Sequence, residues 1–353
     1  MISQSVINQS SADTSERQMT PVGLEKGIRL HDPVYGPVVL DEPLLVDLYH
    51  AEAVQRLGFI YQGGITAFIN PARRTTRLDH SVGVMALLYK MGAGLLEQAA
   101  GLVHDAPHTA FSHVVDFLFP NREHTFHEAH REFVMAASDL PEILGRHGLD
   151  WRIVSDADRF SLLEQPLPDL CADRLDYFLR DGLALGLVSS TEAAQLLAHL
   201  RVWEGQIVVE EIDVARWLGD RFMAIDDAVW CSVQEIGWYV AMARALGAAI
   251  EAGVLTESDL WGTDEAVLQR LRAAQLPEIQ RWLDLLRQDV RFVRDDVHPD
   301  LVTLPKVRAV DPSVLADGQV RPLSRLDADF SRRKASYLAG KQGQWGLRIE
   351  YSA

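Results

Sequence analysis

The chain has 353 residues, 48% apolar and 24% charged, the composition of an ordinary globular protein with room for one large domain or two modest ones. A formal net charge of −16 argues against general nucleic-acid binding and against polyanionic ligands, except small anions met by metal ions or a local cluster of Lys and Arg. Two cysteines, Cys171 and Cys231, make neither a disulfide framework nor a CxxC zinc site and fit a reducing cytoplasm. No apolar run reaches the roughly 18 residues that span a bilayer, so no membrane partner is expected.

Residues 1–20 are polar, lack the apolar segment of a signal peptide, and read as a disordered arm. Residues 28–47 hold a short extended stretch, a turn at Val34-Tyr35-Gly36-Pro37 and an apolar run. A helix is expected from about 50 to 60, ended by Gly63-Gly64. Residues 65–78 read as loop, with Arg73 and Arg74 as its solvated face. Helical spacing then dominates: Ser81 to Met91, and Leu95 to His104, which carries few charges and should be buried. Further helices are expected at 126–137 and 161–186, then one opened by a Ser189/Glu192 capping box. A hairpin is expected across Glu204-Gly205, then a long Ala-rich helix at 214–250, and helices at 264–272, 277–289 and 331–340. Loops and short strands fill 290–322, and 343–351 is extended. The class is mainly α, with minor β near the two ends.

Seven of the 12 histidines fall between positions 80 and 130: His80, His104, His108, His113, His124, His127 and His130. His104-Asp105 closes an apolar helix, where a charged dipeptide is costly unless something satisfies it. A divalent ion would satisfy both, since imidazole nitrogen and carboxylate oxygen suit such metals. An antiparallel helix pair can set His80 beside His104, and Asp173, in CADRLDYFLRD, can close the set. His124 and His130 read as ordinary satisfied histidines.

The order H…HD…D resembles the HD superfamily of metal-dependent phosphohydrolases. The likeness is greatest to its deoxynucleoside-triphosphate triphosphohydrolase branch. HDPVYGPVVLDEPLLVDL is similar to that branch's NDPIHG block, QRLGFIYQGG to its QRLR..KQLGG element, and RLDHSVGV to RFEHSLGV. GLVHDAPHTAFSH resembles GLCHDLGHGPFSH, FHEA resembles THEQ, and ADRLDYFLRD resembles DKWDYFARD. The likeness is strong over about residues 28–185 and weak beyond.

The resemblance implies a helical HD core at 21–205 and a C-terminal helical region with short strands, 206–353, packed on it. It implies one divalent metal on His80, His104, Asp105 and Asp173, with Mn, Fe, Co, Ni and Zn all suited, and a Mg ion accompanying the substrate. His108, Asp116 and His127 match the catalytic group, and His113 a further histidine near the α-phosphate. Gln62 and Arg77 match residues touching sugar and phosphates, and Tyr177 and Asp181 flank the deoxyribose. Arg174 stands where the branch has a Lys beside its last metal ligand. The substrate implied is a nucleotide, hydrolysed to deoxynucleoside and triphosphate in the cytoplasm by a homo-oligomer, a dimer being the commonest case.

The chain also departs from the branch. The stretch 223–240, where the branch has a phosphate-gripping arginine, holds no Lys or Arg and carries Asp226, Asp227 and Glu235. Gly63 replaces a leucine on the base side. His50 and Gly58 replace the residues that read an activating guanine nucleotide, so that activation is not expected. Phosphatase action on mono- or diphosphates or modified nucleotides, and a nucleotide sensor with weak turnover, are the alternatives.

Overall fold

The computed structural model describes residues 27–119 and 126–351; the expected arm at 1–20 and His124 lie outside them. Within them the chain is mainly helical, as its patterning predicts, and its short strands gather into three small sheets. β1 (Ile28–Asp32) and β2 (Gly36–Leu40) pair antiparallel with Ile28 opposite Leu40. Asp32 builds the turn between them: its Oδ1 accepts from the N–H of Val34 at 2.8 Å and of Tyr35 at 2.9 Å. β3 (Leu200–Trp203) and β4 (Gln206–Val209) form the expected hairpin, with Glu204 and Gly205 both at positive φ. β5 (Val290–Arg294), β6 (Leu301–Thr303), β7 (Ser313–Ala316), β8 (Gln319–Pro322) and β9 (Trp345–Tyr351) follow. β4 pairs in parallel with β7, which β8 flanks, and β9 runs between β5 and β6.

Helix Arg77–Lys90 is the centre of the molecule. A capping box of Thr76 and Asp79 opens it, and every residue from His80 to Leu88 is buried. The chain turns at Gly92 and returns as helix Leu95–Val103. Gly101 lets the two helices close, since a Cβ there would lie 2.6 Å from Leu88 Cδ1. This antiparallel packing returns His104 to the level of His80. Leu87, Leu88 and Leu102 are fully buried around it, and truncating one such leucine to Ala costs about 2–5 kcal/mol. Helix Ala172–Ala184 crosses helix Arg77–Lys90 at Gly83, where a Cβ would collide with the side chains of Asp176 and Arg180.

Several expected elements are shorter than their patterning suggests. The run 161–186 is helical only from Ala172; Pro166 and Pro168 break it before that point. The run 214–250 is two helices, Ile212–Ile225 and Val233–Glu251, parted by a π turn at Asp226–Trp230. The run 126–137 breaks at His130 into Phe126–Ala129 and Arg131–Ala137. Residues 65–78 are not plain loop but contain helical turns at Thr66–Ile69 and Pro71–Arg73.

Two apolar clusters result. One joins the β1–β2 hairpin, the three helices just described and helix Ile212–Ile225. The other is built on helix Val233–Glu251 and takes in Ile65, Phe111, Val114 and Val115. Each draws residues from both sides of position 205, and the histidines lie along the seam.

Candidate metal centre

His80, His104, Asp105 and Asp173 converge. His80 Nε2 lies 2.8 Å from Asp173 Oδ1 and 3.8 Å from Asp105 Oδ2. His104 Nε2 lies 3.4 Å from Asp105 Oδ1 and 3.6 Å from Asp173 Oδ1. Ligands bonded at roughly 2.0–2.2 Å to one ion stand about 3–3.5 Å apart, so the spacing fits. His104 gives the independent test. Its Nδ1 donates to the Gly101 carbonyl at 2.7 Å, which leaves Nε2 facing the cluster, buried and without a hydrogen-bond partner. Such an orphan is costly unless something binds it. Electrostatics agrees. Burial works against the His80 imidazolium, but hydrogen bonds to Asp173 and Asp176 and the Asp105 charge outweigh it and raise its pKa to about 10. The carboxylates demand positive charge, and a divalent ion supplies it.

Residues that sequence reasoning passed over hold this set in place. His80 Nδ1 meets Asp176 Oδ2 at 2.7 Å, Arg180 binds both Asp176 oxygens at 2.8 and 2.9 Å, and its Nη2 reaches Asp32 Oδ2 at 2.9 Å. Asp176 and Asp32 are fully buried. The β1–β2 turn is thereby tied to the back of a candidate metal ligand, the kind of support that orients metal-bound histidines. A signal existed: Asp173, Asp176 and Arg180 fall at i, i+3 and i+7, one face of a helix. Glu164 was also missed. It lies with Cys171 and Asp173 within a 4.8 Å group, and burial next to Asp173 pushes its pKa up to about 7.

A second cluster abuts the first. His108 Nε2 lies 3.2 Å from Asp105 Oδ1, and its ring stacks on His127 at 3.9 Å. His113 stands edge-on to both, 5.1 and 5.5 Å away between ring centres. Asp116 Oδ2 meets His113 Nδ1 at 3.0 Å, while its Oδ1 accepts from Phe126 N–H at 3.1 Å, which secures the helix bearing His127. Burial, then the Arg77 charge, lowers His108 to about 3. Burial likewise lowers His113 to about 4, and it lowers His127 well below the usual imidazole range. Burial thus favours the neutral form of all three, and an anion set against them would favour proton uptake.

The turn that delivers His113 is strained: Phe111 and Ser112 lie at φ 59° and 53°. Asp264 restrains it, accepting from Phe111 N–H at 2.6 Å and Tyr61 N–H at 2.8 Å. Arg77 is nearly fully buried and spends its guanidinium on Asp105 Oδ2 and Ser112 Oγ, both at 2.9 Å. Gln62 sits on the adjoining turn, its Oε1 buried with no hydrogen-bond partner. Arg174 is turned to the protein: it donates to the Asp169 and Gln165 carbonyls and braces the approach to Asp173. Tyr177 meets Trp230 edge-on at 4.9 Å, and Trp230 Nε1 donates to Asp181 Oδ2 at 2.7 Å.

Arg73 corrects the sequence reading. It is not part of a solvated loop but only 5% exposed, with Nη1 3.3 Å from Asp181 and Nε 3.9 Å from Glu235. Neither nitrogen has a hydrogen-bond partner. The helix turn at Pro71–Arg73 tucks the side chain under the site, and nothing in the local polarity announced that. Arg74 is exposed and donates to the Ala67 carbonyl.

Residues 77–181 match the HD domain family. The chain is 36% identical to the uncharacterized protein YdhJ of Bacillus subtilis, over 90% of this chain and 98% of that one. It is 35% identical to the metal-dependent phosphohydrolase cns2 of Cordyceps militaris, over 90% and 94%. A more distant likeness, 26% over 49% of this chain and 36% of the other, is to the deoxynucleoside triphosphate triphosphohydrolase SAMHD1 of Gallus gallus. The fold is similar to that of a phosphohydrolase from Bacteroides thetaiotaomicron, with a TM-score of 0.70 at 18% identity over 92% of this chain and all of the other. The chain belongs to the HD-domain metal-dependent phosphohydrolases. Among the described residues no helix is long and apolar enough to cross a membrane.

Proposed function

We propose that the chain hydrolyses nucleotides, as a deoxynucleoside triphosphate triphosphohydrolase that releases deoxynucleoside and intact triphosphate. The observation that carries this reading is the contact of the neutral histidine cluster with the metal set, His108 to Asp105 at 3.2 Å. His80, His104, Asp105 and Asp173 would hold a divalent ion, which would supply electrophilic polarisation at phosphorus and lower the pKa of a water. The chain's own groups do the rest. Asp116 fixes the His113 ring, and His127, stacked on His108, is placed to move a proton to or from the ester oxygen. Tyr177 offers an aromatic face to a sugar, and Asp181, held by Trp230 and Arg73, an acceptor for its hydroxyl. The partial likeness to SAMHD1 supports the nucleotide assignment.

A second reading, action on mono- or diphosphates, has its own observation. Glu235 lies 3.9 Å from Arg73 and accepts from Thr66 Oγ1, so the helix that bears the branch's phosphate-gripping arginine here presents a carboxylate, engaged with Arg73. Product analysis on metal-reconstituted protein separates the two. Intact triphosphate from a deoxynucleotide panel is the expected product; single phosphate from monophosphates would replace the first reading with the second. Binding without turnover would make the chain a sensor. The homo-oligomer belongs to the same proposal, and light scattering showing a monomer would remove it.

A further inference from the structure

The stretch 223–240 holds no Lys or Arg, whereas the segment 304–312 holds two cations. Between β6 and β7 the chain crosses the seam of the two apolar clusters as a strap. Val307 packs against the cluster that holds the His113 turn, while Ala309 and Val310 are buried in the one that holds helix Ala172–Ala184. The strap is pinned on both sides. Arg308 N–H donates to Asp226 Oδ2 at 3.1 Å, and Asp311 N–H donates to the Pro168 carbonyl at 2.9 Å, next to the turns that lead to Asp173. Asp226 opens the π turn whose Trp230 touches Tyr177 and Asp181.

The strap carries two cations, Lys306 and Arg308. Lys306 is half-buried and has no ion pair with any described residue. Burial and then the Arg308 charge pull its pKa down, against the charges of Glu128 and Asp116 from one wall and Glu164 from the other. Arg308 makes one weak contact, 4.0 Å to Asp226 Oδ1, and one hydrogen bond, Nη1 to the Lys306 carbonyl at 3.2 Å. Its charge reaches His113 and Tyr177, residues from opposite walls of the same cleft. A half-buried cation with little counter-charge is costly, and Lys306 and Arg308, two residues apart on the strap, are suited to take an anion.

We propose that Lys306 and Arg308 form a clamp for the phosphates beyond the scissile ester, supplied by the C-terminal strap and not by the helix that follows Asp181. The inference rests on the nucleotide reading for its physiological ligand but not for its test. The test is calorimetric titration of metal-reconstituted protein with inorganic tripolyphosphate and, separately, with inorganic phosphate. Wild type is expected to bind tripolyphosphate, and Lys306→Gln and Arg308→Gln each to weaken it about tenfold or more, as loss of a charge-assisted contact does. Lys306→Arg is expected to keep the affinity within a few-fold. Inorganic phosphate is expected to bind wild type, the three single variants and the double Gln variant alike, with equal metal content and melting temperature. Unchanged tripolyphosphate affinity in the double Gln variant overturns the clamp, and so does a wild type that binds no tripolyphosphate.

The two readings fail separately. A wild type that turns over no nucleotide but binds tripolyphosphate through Lys306 keeps the clamp and sinks the nucleotide assignment. Nucleotide hydrolysis with an unchanged KM in the double variant does the reverse.

Discussion

His80 presents its two ring nitrogens to two carboxylates on one helix, Nδ1 to Asp176 at 2.7 Å and Nε2 to Asp173 at 2.8 Å. The residues are separated by one helical turn, so both carboxylates face the imidazole. Asp176, fully buried and locked by Arg180, fixes the Nδ1 side as donor and leaves Nε2 for a metal.

Replacing Asp176 by Asn keeps the shape and removes the charge behind the ligand. Metal affinity is expected to fall about 10–100-fold, the usual effect of losing such a support. Competition against a chelator of known affinity measures it. A variant that holds metal as tightly as wild type would show that Asp176 does not orient His80.

Gly83 tests the same relationship by packing. Gly→Ala in a helix interior ordinarily gains about 1 kcal/mol. Here the added methyl collides with Asp176 and Arg180, and overpacking costs about 1–3 kcal/mol. Loss should therefore outweigh gain, and Gly83→Ala is expected to lose metal as well as stability. A variant melting above wild type with full metal content would mean that the helices can part without disturbing the site.

The convergence of His80, His104, Asp105 and Asp173 was legible because the chemistry is local: a charged pair at the end of an apolar helix has few other uses. The helical class was legible from the spacing of apolar residues around His80 and His104. The supports were not. Asp32 and Arg180 are 148 residues apart, and Asp264 meets Phe111 across 153, distances at which no periodicity carries information. Arg73 misled because a basic residue among prolines and threonines resembles a surface loop; only its pairing with Asp181, from another helix, makes its burial tolerable. The strap was invisible for the same reason, since Lys306 and Arg308 gain meaning only when the clusters on either side have closed.

The depressed histidines predict acid lability. An unfolded chain takes a proton on His113 as pH falls through about 6.5, whereas the folded chain keeps it off until about 4. The unfolded state binds more protons in that window, so His113 removes stability as pH drops from about 6.5 to 4. His108 acts in the same sense down to about 3. His113 is nearly a third exposed, so its share is the smaller. His113→Gln lacks one of these groups, and its melting temperature should fall less between pH 6.5 and 4.5 than that of wild type, at fixed metal. Parallel curves would show that His113 titrates normally.

His127 separates chemistry from binding. It lies outside the metal set, on a helix held by the Asp116–Phe126 contact, with its Nδ1 buried and unpartnered and its ring stacked on His108. Among the described residues nothing in that position serves the fold through a hydrogen bond, so His127→Ala should retain both metal and melting temperature to within the effect of its lost ring contacts. On the proposed function, what it removes is the proton carrier stacked on His108 beside the metal set. Proton transfer by one placed group is typically worth about 10²–10⁴-fold, so kcat on the best nucleotide is expected to drop by that amount while KM changes little. The comparison is made on metal-reconstituted wild type and variant with the same substrate. Equal rates would take His127 out of the mechanism and leave His113, with its Asp116 partner, as the proton carrier. A large rise in KM at unchanged kcat would reassign it to holding substrate.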